Sequence, residues 1–202
     1  MYPVSLMRSG SDVNADLELF LYHNRLQLAA KNALYSDGDQ YTPAVVTVDH
    51  FKTFLPSAKN VLVLGTGLGS IVEIIRKRGY TPDFTLLEFD KVILKWAMEF
   101  LPAGHGGKVT PVCMDAMSFM RQNNVAFDFI FIDIFEDLSV PVFVYSPEFL
   151  QLCRKSLSPG GHVAFNYIPA NEPEERRVQH IFTEIFPGCK ILKTDTNRIF
   201  VL

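Results

Sequence analysis

The chain has little of what marks several large protein classes. It holds only three cysteines, Cys113, Cys153 and Cys189, an odd number with no metal-ligand spacing. That argues against a disulfide framework or a zinc site and fits reduced thiols in a cytoplasmic protein. No stretch approaches the roughly 18 apolar residues of a membrane helix. Residues 1–10 contain no apolar run followed by a small-residue cleavage site, so no secretory leader is expected there. No basic block is interleaved with aromatics; Arg76-Lys77-Arg78 is short and reads as the solvated end of a helix. With a formal net charge of −3 and a pI near 5.9, the chain is not expected to bind nucleic-acid backbones. What it does have is a 48% hydrophobic share over 202 residues, enough for a two-sided core in one main domain.

The most informative stretch is Asn60–Asp90, NVLVLGTGLGSIVEIIRKRGYTPDFTLLEFD. Val61–Leu64 is a continuous apolar run, as in a parallel strand covered on both faces. Gly65, Thr66, Gly67 and Gly69 form a tight turn in which the glycines let the backbone approach a ligand. Ile71, Ile74 and Ile75 recur at helical spacing. Phe84–Leu87 then delivers Glu88 to the carboxyl end of a second strand, where an acid can accept both hydroxyls of a ribose. Main-chain amides of the turn and the Glu88 carboxylate are therefore expected to hold a nucleoside. The GxGxG spacing favours S-adenosylmethionine over a nicotinamide cofactor. Asp90 is a plausible N-cap for a helix over Val92–Phe100.

Downstream, strands are expected at Lys108–Val112, Phe127–Ile132 and His162–Tyr167, and helices at Ala116–Arg121, Pro147–Leu157 and Pro173–Phe186. Ser158-Pro159-Gly160-Gly161 reads as the stop that ends the second of these helices. Lys190–Lys193 and Arg198–Leu202 are too close for a crossover and suit an antiparallel hairpin. The expected fold is α/β: a Rossmann-like seven-stranded transferase sheet over residues 45–202 that ends in this hairpin. Residues 1–44 read as a separate segment, with a β-hairpin over Leu17–Leu28 turning at His23-Asn24 and a polar connector over Tyr35–Pro43. Val45–Leu55 is read as the helix that leads into the core.

Asp115 follows the third core strand, with Ala116 beside it, and can cap a helix while facing an adenine amino group. Asp133, at the end of Phe127–Ile132, sits where the reactive end of the ligand should lie, with Glu136 and Asp137 close by. Carboxylates there suit a cationic partner, such as an amine or the ammonium of the cofactor. They also raise a bound amine's pKa, so one of them has to act as a base or orient the neutral amine rather than merely attract it. His105 lies in a glycine loop and is given no role; His162, at a strand start, is expected to face solvent.

These motifs resemble the spermidine synthase group of class I S-adenosylmethionine-type transferases, over nearly the whole chain. The resemblance takes in Gln27 in the N-terminal hairpin, Tyr35, the glycine turn, Glu88 and Asp115. It continues through Asp133, a loop with Pro141 and Pro147, and the helix start Glu148-Phe149. It implies that Asp133 is the base for an attacking amine and that Gln27, Tyr35, Glu136 and Asp137 contact the substrate. It also implies that subunits pair as homodimers. Two positions differ from the family pattern. Leu68 stands where the family carries an aspartate that holds the ammonium of decarboxylated S-adenosylmethionine. Asp133-Ile134-Phe135-Glu136-Asp137 replaces an aspartate-serine-serine-aspartate-proline run. On that basis methyl transfer to a small acceptor, without a metal, is the expected reaction. Aminopropyl transfer to a diamine and non-catalytic binding of S-adenosylmethionine are the alternatives.

Overall fold

The protein is described by a computed structural model covering residues 2–31, 33–102 and 106–202; His105 lies outside them. Its first sheet is organised by His23 and Asn24, whose φ angles of 49° and 60° make the two-residue turn that matches strand twist. The sheet is wider than the single hairpin expected. β1 (Val4–Ser9), β2 (Leu17–Tyr22), β3 (Arg25–Ala30) and β4 (Ala33–Asp37) pair antiparallel in sequence order. β1 is exposed on both faces, so its sequence has no inside–outside alternation to read. β4 places Tyr35 in a strand rather than a connector, and tertiary contact holds it there: Ser36 Oγ accepts the Leu68 N–H at 2.7 Å. Leu17, Leu19 and Leu28 are fully buried against Leu68, Ile93 and Trp96.

The chain then enters α1 (Thr42–His50), which starts earlier and ends sooner than expected, followed by a short 3-10 turn at Leu55–Ser57. The core alternates β5 (Asn60–Leu64), α2 (Ser70–Lys77), β6 (Asp83–Glu88), α3 (Lys91–Phe100), β7 (Val109–Cys113), α4 (Ala116–Gln122) and β8 (Phe127–Ile132). α5 (Pro147–Lys155), β9 (Leu157–Tyr167), α6 (Glu172–Ile185), β10 (Lys190–Lys193) and β11 (Arg198–Val201) complete it. The seven strands lie in the order β10-β11-β9-β8-β5-β6-β7, with the pairs from β7 to β9 parallel and β11 antiparallel to both neighbours.

Both faces are covered, so the inner strands alternate between two cores rather than between core and water. Leu62, Leu64, Ile130, Ile132 and Phe165 pack under α4, α5 and α6, whereas Val61, Val63, Phe129 and Phe131 pack under α1 and α2. β9 begins at Leu157, five residues before the expected start. The stop read at Ser158–Gly161 is an excursion within the strand, visible as a register shift between Phe127↔Leu157 and Phe129↔His162. His162 does not simply face solvent: its ring packs on Phe51 and Phe54 and its Nδ1 lies 2.6 Å from the Leu202 carbonyl. Among the described residues no helix is long and apolar enough to cross a membrane.

Two tethers hold the N-terminal sheet on the core. Besides the Ser36–Leu68 bond, Ser11 Oγ and Asn14 Nδ2 both donate to the buried carboxylate of Asp90, the latter at 2.8 Å. The other oxygen of Asp90 caps α3 by accepting the Val92 N–H at 2.8 Å.

The glycine turn is packed from two sides. Gly65 has φ 85°, and a Cβ on it would overlap the carbonyl of Asp133. Gly67 has φ 51°, and a Cβ there would stand 2.5 Å from Ser36 Oγ and 2.9 Å from the Tyr35 carbonyl oxygen. Gly65→Ala should therefore combine left-handed strain with a backbone clash and cost about 2–4 kcal/mol of stability. Urea unfolding reads this directly; a loss within about 0.5 kcal/mol, as at ordinary surface sites, would mean that the close approach is not a constraint.

Candidate active site

The strand order reverses between β5 and β8, and ligands of open α/β sheets bind in the crevice beyond the carboxyl ends of such strands. A cavity of about 790 Å³ opens there. Gly65, Gly67, Glu88, Asp115, Ala116 and Asp133 line it from the seven-stranded sheet, Tyr35 from β4, and Glu136 and Asp137 from the loop after β8. Three residues expected at the site are not in its wall. Thr66 is buried, with its hydroxyl on the Leu87 carbonyl at 3.1 Å, and Gly69 is the N-cap of α2. Gln27 is buried, and its amide donates to Asp37 Oδ1, which also accepts from Arg25 Nε at 3.0 Å. Asp37 itself lines the cavity.

The turn works differently from the expectation that its amides hold a nucleoside. Gly65 N–H goes to the Leu87 carbonyl, Leu68 N–H to Ser36 and Gly69 N–H to the Thr66 carbonyl. Thr66 N–H goes to Glu88 Oε2 at 3.1 Å. Those amides are spent within the protein. Their product is a fixed Glu88, whose Oε1 also accepts from the N–H groups of Phe89 (2.9 Å) and Asp90 (3.1 Å). Burial raises the Glu88 pKa, and these backbone bonds pull against that rise.

The residues present fit an adenine nucleoside. Glu88 offers a preset acceptor for vicinal hydroxyls. Asp115 caps α4 through Oδ1, which accepts the Ser118 N–H at 2.8 Å, and faces the same cavity. Ile93, Met114 and the exposed ring of Phe89 supply apolar surface between them. Leu68 is buried in the cluster under the N-terminal sheet and takes no part in the cavity wall.

Asp133 is the most perturbed carboxylate here. It is half-buried at the end of β8, and its Oδ1 accepts from Asn166 Nδ2 at 2.7 Å and from the Tyr41 hydroxyl at 3.2 Å. Burial pushes its pKa up to about 6 and Glu88 adds to the rise, while Asn166 and Tyr41 oppose it. The Tyr41 phenol is itself driven well above its usual range by burial and by Asp133. Tyr35 receives the Asp137 backbone N–H on its hydroxyl at 3.0 Å, and burial raises its pKa as well. Sequence reading singled out neither Tyr41 nor Asn166. Tyr41 fell inside a loop-like stretch, and Asn166 sits in an apolar strand, where one amide among hydrophobic residues was the available signal. Among the described residues no group of three or more His, Cys, Asp or Glu is placed to hold a metal ion.

Comparison with known proteins bears on this geometry. A family model described as the spermine/spermidine synthase domain matches residues 41–183. The spermidine synthase of Dictyostelium discoideum is 34% identical over 112 residues, 54% of this chain and 39% of that protein. The chain spans less than half the length of such curated relatives. Among solved structures, a probable spermidine synthase from Corynebacterium glutamicum superposes with a TM-score of 0.78 at 16% identity, covering 98% of this chain and 78% of that one. A spermidine synthase in complex with the transition-state analogue AdoDATO superposes at 0.75 and 17% identity, covering 98% and 72%. Solved methyltransferases share the fold too, at TM-scores of 0.65 and 0.66. The fold therefore does not select the group transferred.

A raised carboxylate pKa is also a stability statement. Ionising Asp133 costs more in the folded than in the unfolded chain, so stability falls as pH rises from about 4 through about 6. Asp133→Asn should thus leave stability near pH 4 little changed and raise it at pH 8 by about 1–3 kcal/mol. Thermal melts at the two pH values check this; a variant no more stable than the parent at pH 8 would remove the cost assigned to this carboxylate.

Proposed function

This chain belongs to the spermine/spermidine synthase domain family, and from that premise we propose that it transfers an aminopropyl group from decarboxylated S-adenosylmethionine to a small amine. The observation that carries the reading is the charge of the cavity wall. Asp37, Glu88, Asp115, Asp133, Glu136, Asp137 and Asp195 line it, against Lys31 as the one basic residue among those described. Such a wall attracts cations and repels acceptors that carry a carboxylate.

Methyl transfer was the reaction expected from Leu68 and from the Asp133-Ile134-Phe135-Glu136-Asp137 run, and it is not the reading supported now. That expectation assumed that Leu68 replaces an acid in the cavity. Leu68 itself packs against the N-terminal sheet outside the cavity wall, and seven acids line that wall without it. The family match and the named relatives favour the aminopropyl reaction, as does the analogue bound by the solved synthase.

In this reading Glu88 and Asp115 hold the nucleoside at the ends of β6 and β7. Asp37, Glu136 and Asp137 draw the amine in as an ammonium ion, and Asp133 accepts the proton it has to lose before attack. With a pKa of about 6, Asp133 is largely ionised at neutral pH yet basic enough to take part in the transfer. The donor supplies a carbon activated by its bond to a positive sulfur: a C–N bond forms as the C–S bond breaks, and the electron pair stays on sulfur. The protein's work is alignment and exclusion of water. A homodimer is part of the proposal; β1 leaves Val4, Leu6 and Met7 exposed, and a second copy would cover them. Light scattering at micromolar concentration should give twice the chain mass, and a monomer there would overturn the pairing.

Incubation with decarboxylated S-adenosylmethionine and a panel of diamines should give aminopropylated product. Asp133→Asn should lower turnover by about 10²–10⁴-fold, the usual contribution of a general base. kcat/KM should rise with pH through about 6 as Asp133 ionises, and the variant should lose that limb. Glu88→Ala should weaken nucleoside binding at least ~10-fold by calorimetry, in line with loss of a charged hydrogen-bond partner. Turnover with S-adenosylmethionine as methyl donor, and none with the decarboxylated donor, would restore the methyl-transfer reading.

A further inference from the structure

The turn between β10 and β11 is far from the glycine motif in sequence, yet Thr194, Asp195, Thr196 and Asn197 all line the cavity. One of them is wired to Asp133. Asn197 Nδ2 donates to Asn166 Oδ1 at 2.9 Å, and Asn166 Nδ2 donates onward to Asp133 Oδ1 at 2.7 Å. Asn166 has no exposed surface, so both ends of its amide are committed to these partners. The backbone of Asn197 is itself fixed: its N–H donates to Thr194 Oγ1 at 3.0 Å and its carbonyl accepts the Thr194 N–H at 3.0 Å.

The polarity of this chain follows from chemistry. An ionised carboxylate only accepts, so Asn166 has to present its NH₂ to Asp133, and its oxygen is left to face Asn197. Asn197 satisfies that oxygen by donating. Faced with an acceptor in place of that donor, a buried Asn166 would be drawn to turn over, and would then set its oxygen against the Asp133 carboxylate.

We propose that Asn197 is a positioning residue for Asp133, acting through Asn166, and that the β10–β11 turn is thereby part of the reaction site. The proposal rests on the reading of Asp133 as the base, but the geometry it invokes exists without any substrate. The ionisable groups around Asp133 are Tyr41 at the start of α1, Glu88 at the end of β6, Glu136 and Asp137 on its own loop and Asp195 in the turn.

The test is carboxyl titration in the ligand-free protein. Aspartate labelled with ¹³C at the side-chain carboxyl reports each group by NMR, and Asp133→Asn identifies the resonance. Asn197→Asp is nearly isosteric but presents only acceptors, so Asn166 has to turn its NH₂ toward the new carboxylate. The Asp133 midpoint should then rise by at least ~0.5 unit, since loss of a hydrogen bond to the ionised form and a like charge nearby both favour protonation. Asn197→Ala removes the donor without adding charge and should shift it in the same direction by less; it also serves if the aspartate variant does not fold. In turnover, Asn197→Ala should move the acid limb to higher pH, losing up to about 1.5-fold in kcat at pH 6.5, recovering at pH 8.5 and keeping the nucleoside KM. Midpoints unchanged in both variants would overturn the proposal whatever reaction the protein performs. A shifted midpoint with no aminopropyl product would uphold the wiring and count against the reaction alone.

Discussion

The contact between Gly65 and the carbonyl of Asp133 is the constraint on which the rest of the site depends. Two neighbouring parallel strands end there, and they close to that distance because one of them ends in a residue with no Cβ. The turn that follows has almost no freedom left. Its amides reach Leu87, Glu88 and Ser36, so one loop fixes the second strand's acid and the outer strand of the N-terminal sheet together. The glycines thus serve to lock protein to protein, and the cavity is the space left beside that junction.

The same compactness sets the electrostatics. Acids crowd a partly dry crevice, and the fold bears the cost of keeping them there. Backbone N–H groups meet part of it at Glu88, and a phenol and a buried amide meet part of it at Asp133. The balance is incomplete, and the residual cost holds the Asp133 carboxyl up at about 6. Sites of this kind trade stability for a proton acceptor matched to neutral pH.

Much of this was legible in the chain. Parallel strands buried on both faces write long apolar runs, so Val61–Leu64 and Phe127–Ile132 could be read directly, and the short Asp195-Thr196-Asn197 spacing announced the terminal hairpin. Glu88, Asp115 and Asp133 could be picked out because strand ends in this architecture border the ligand crevice, and all three line the cavity. What could not be read depended on contacts between distant segments. β1 has no buried face, β4 is held by Ser36 on a turn 32 residues away, and the break at Ser158–Gly161 is bridged by the neighbouring strand. Leu68 packs in the cluster under the N-terminal sheet, a placement that depends on Leu17, Leu19 and Leu28 from a distant segment. Asn166 and Asn197 carry no motif, because their significance lies in which atoms they bring within reach of each other.

The clasp of Ser11 and Asn14 on Asp90 has a consequence for how the two sheets share their fate. One carboxylate serves as cap for α3 on one oxygen and as anchor for the N-terminal loop on the other, and Glu88 stands two residues before it. Detaching the first sheet would leave that buried anion facing water on one side only, fray the helix start and loosen Glu88 in a single event. The strands of the first sheet are in this sense part of the cavity's footing, which β4 also lines through Tyr35 and Asp37.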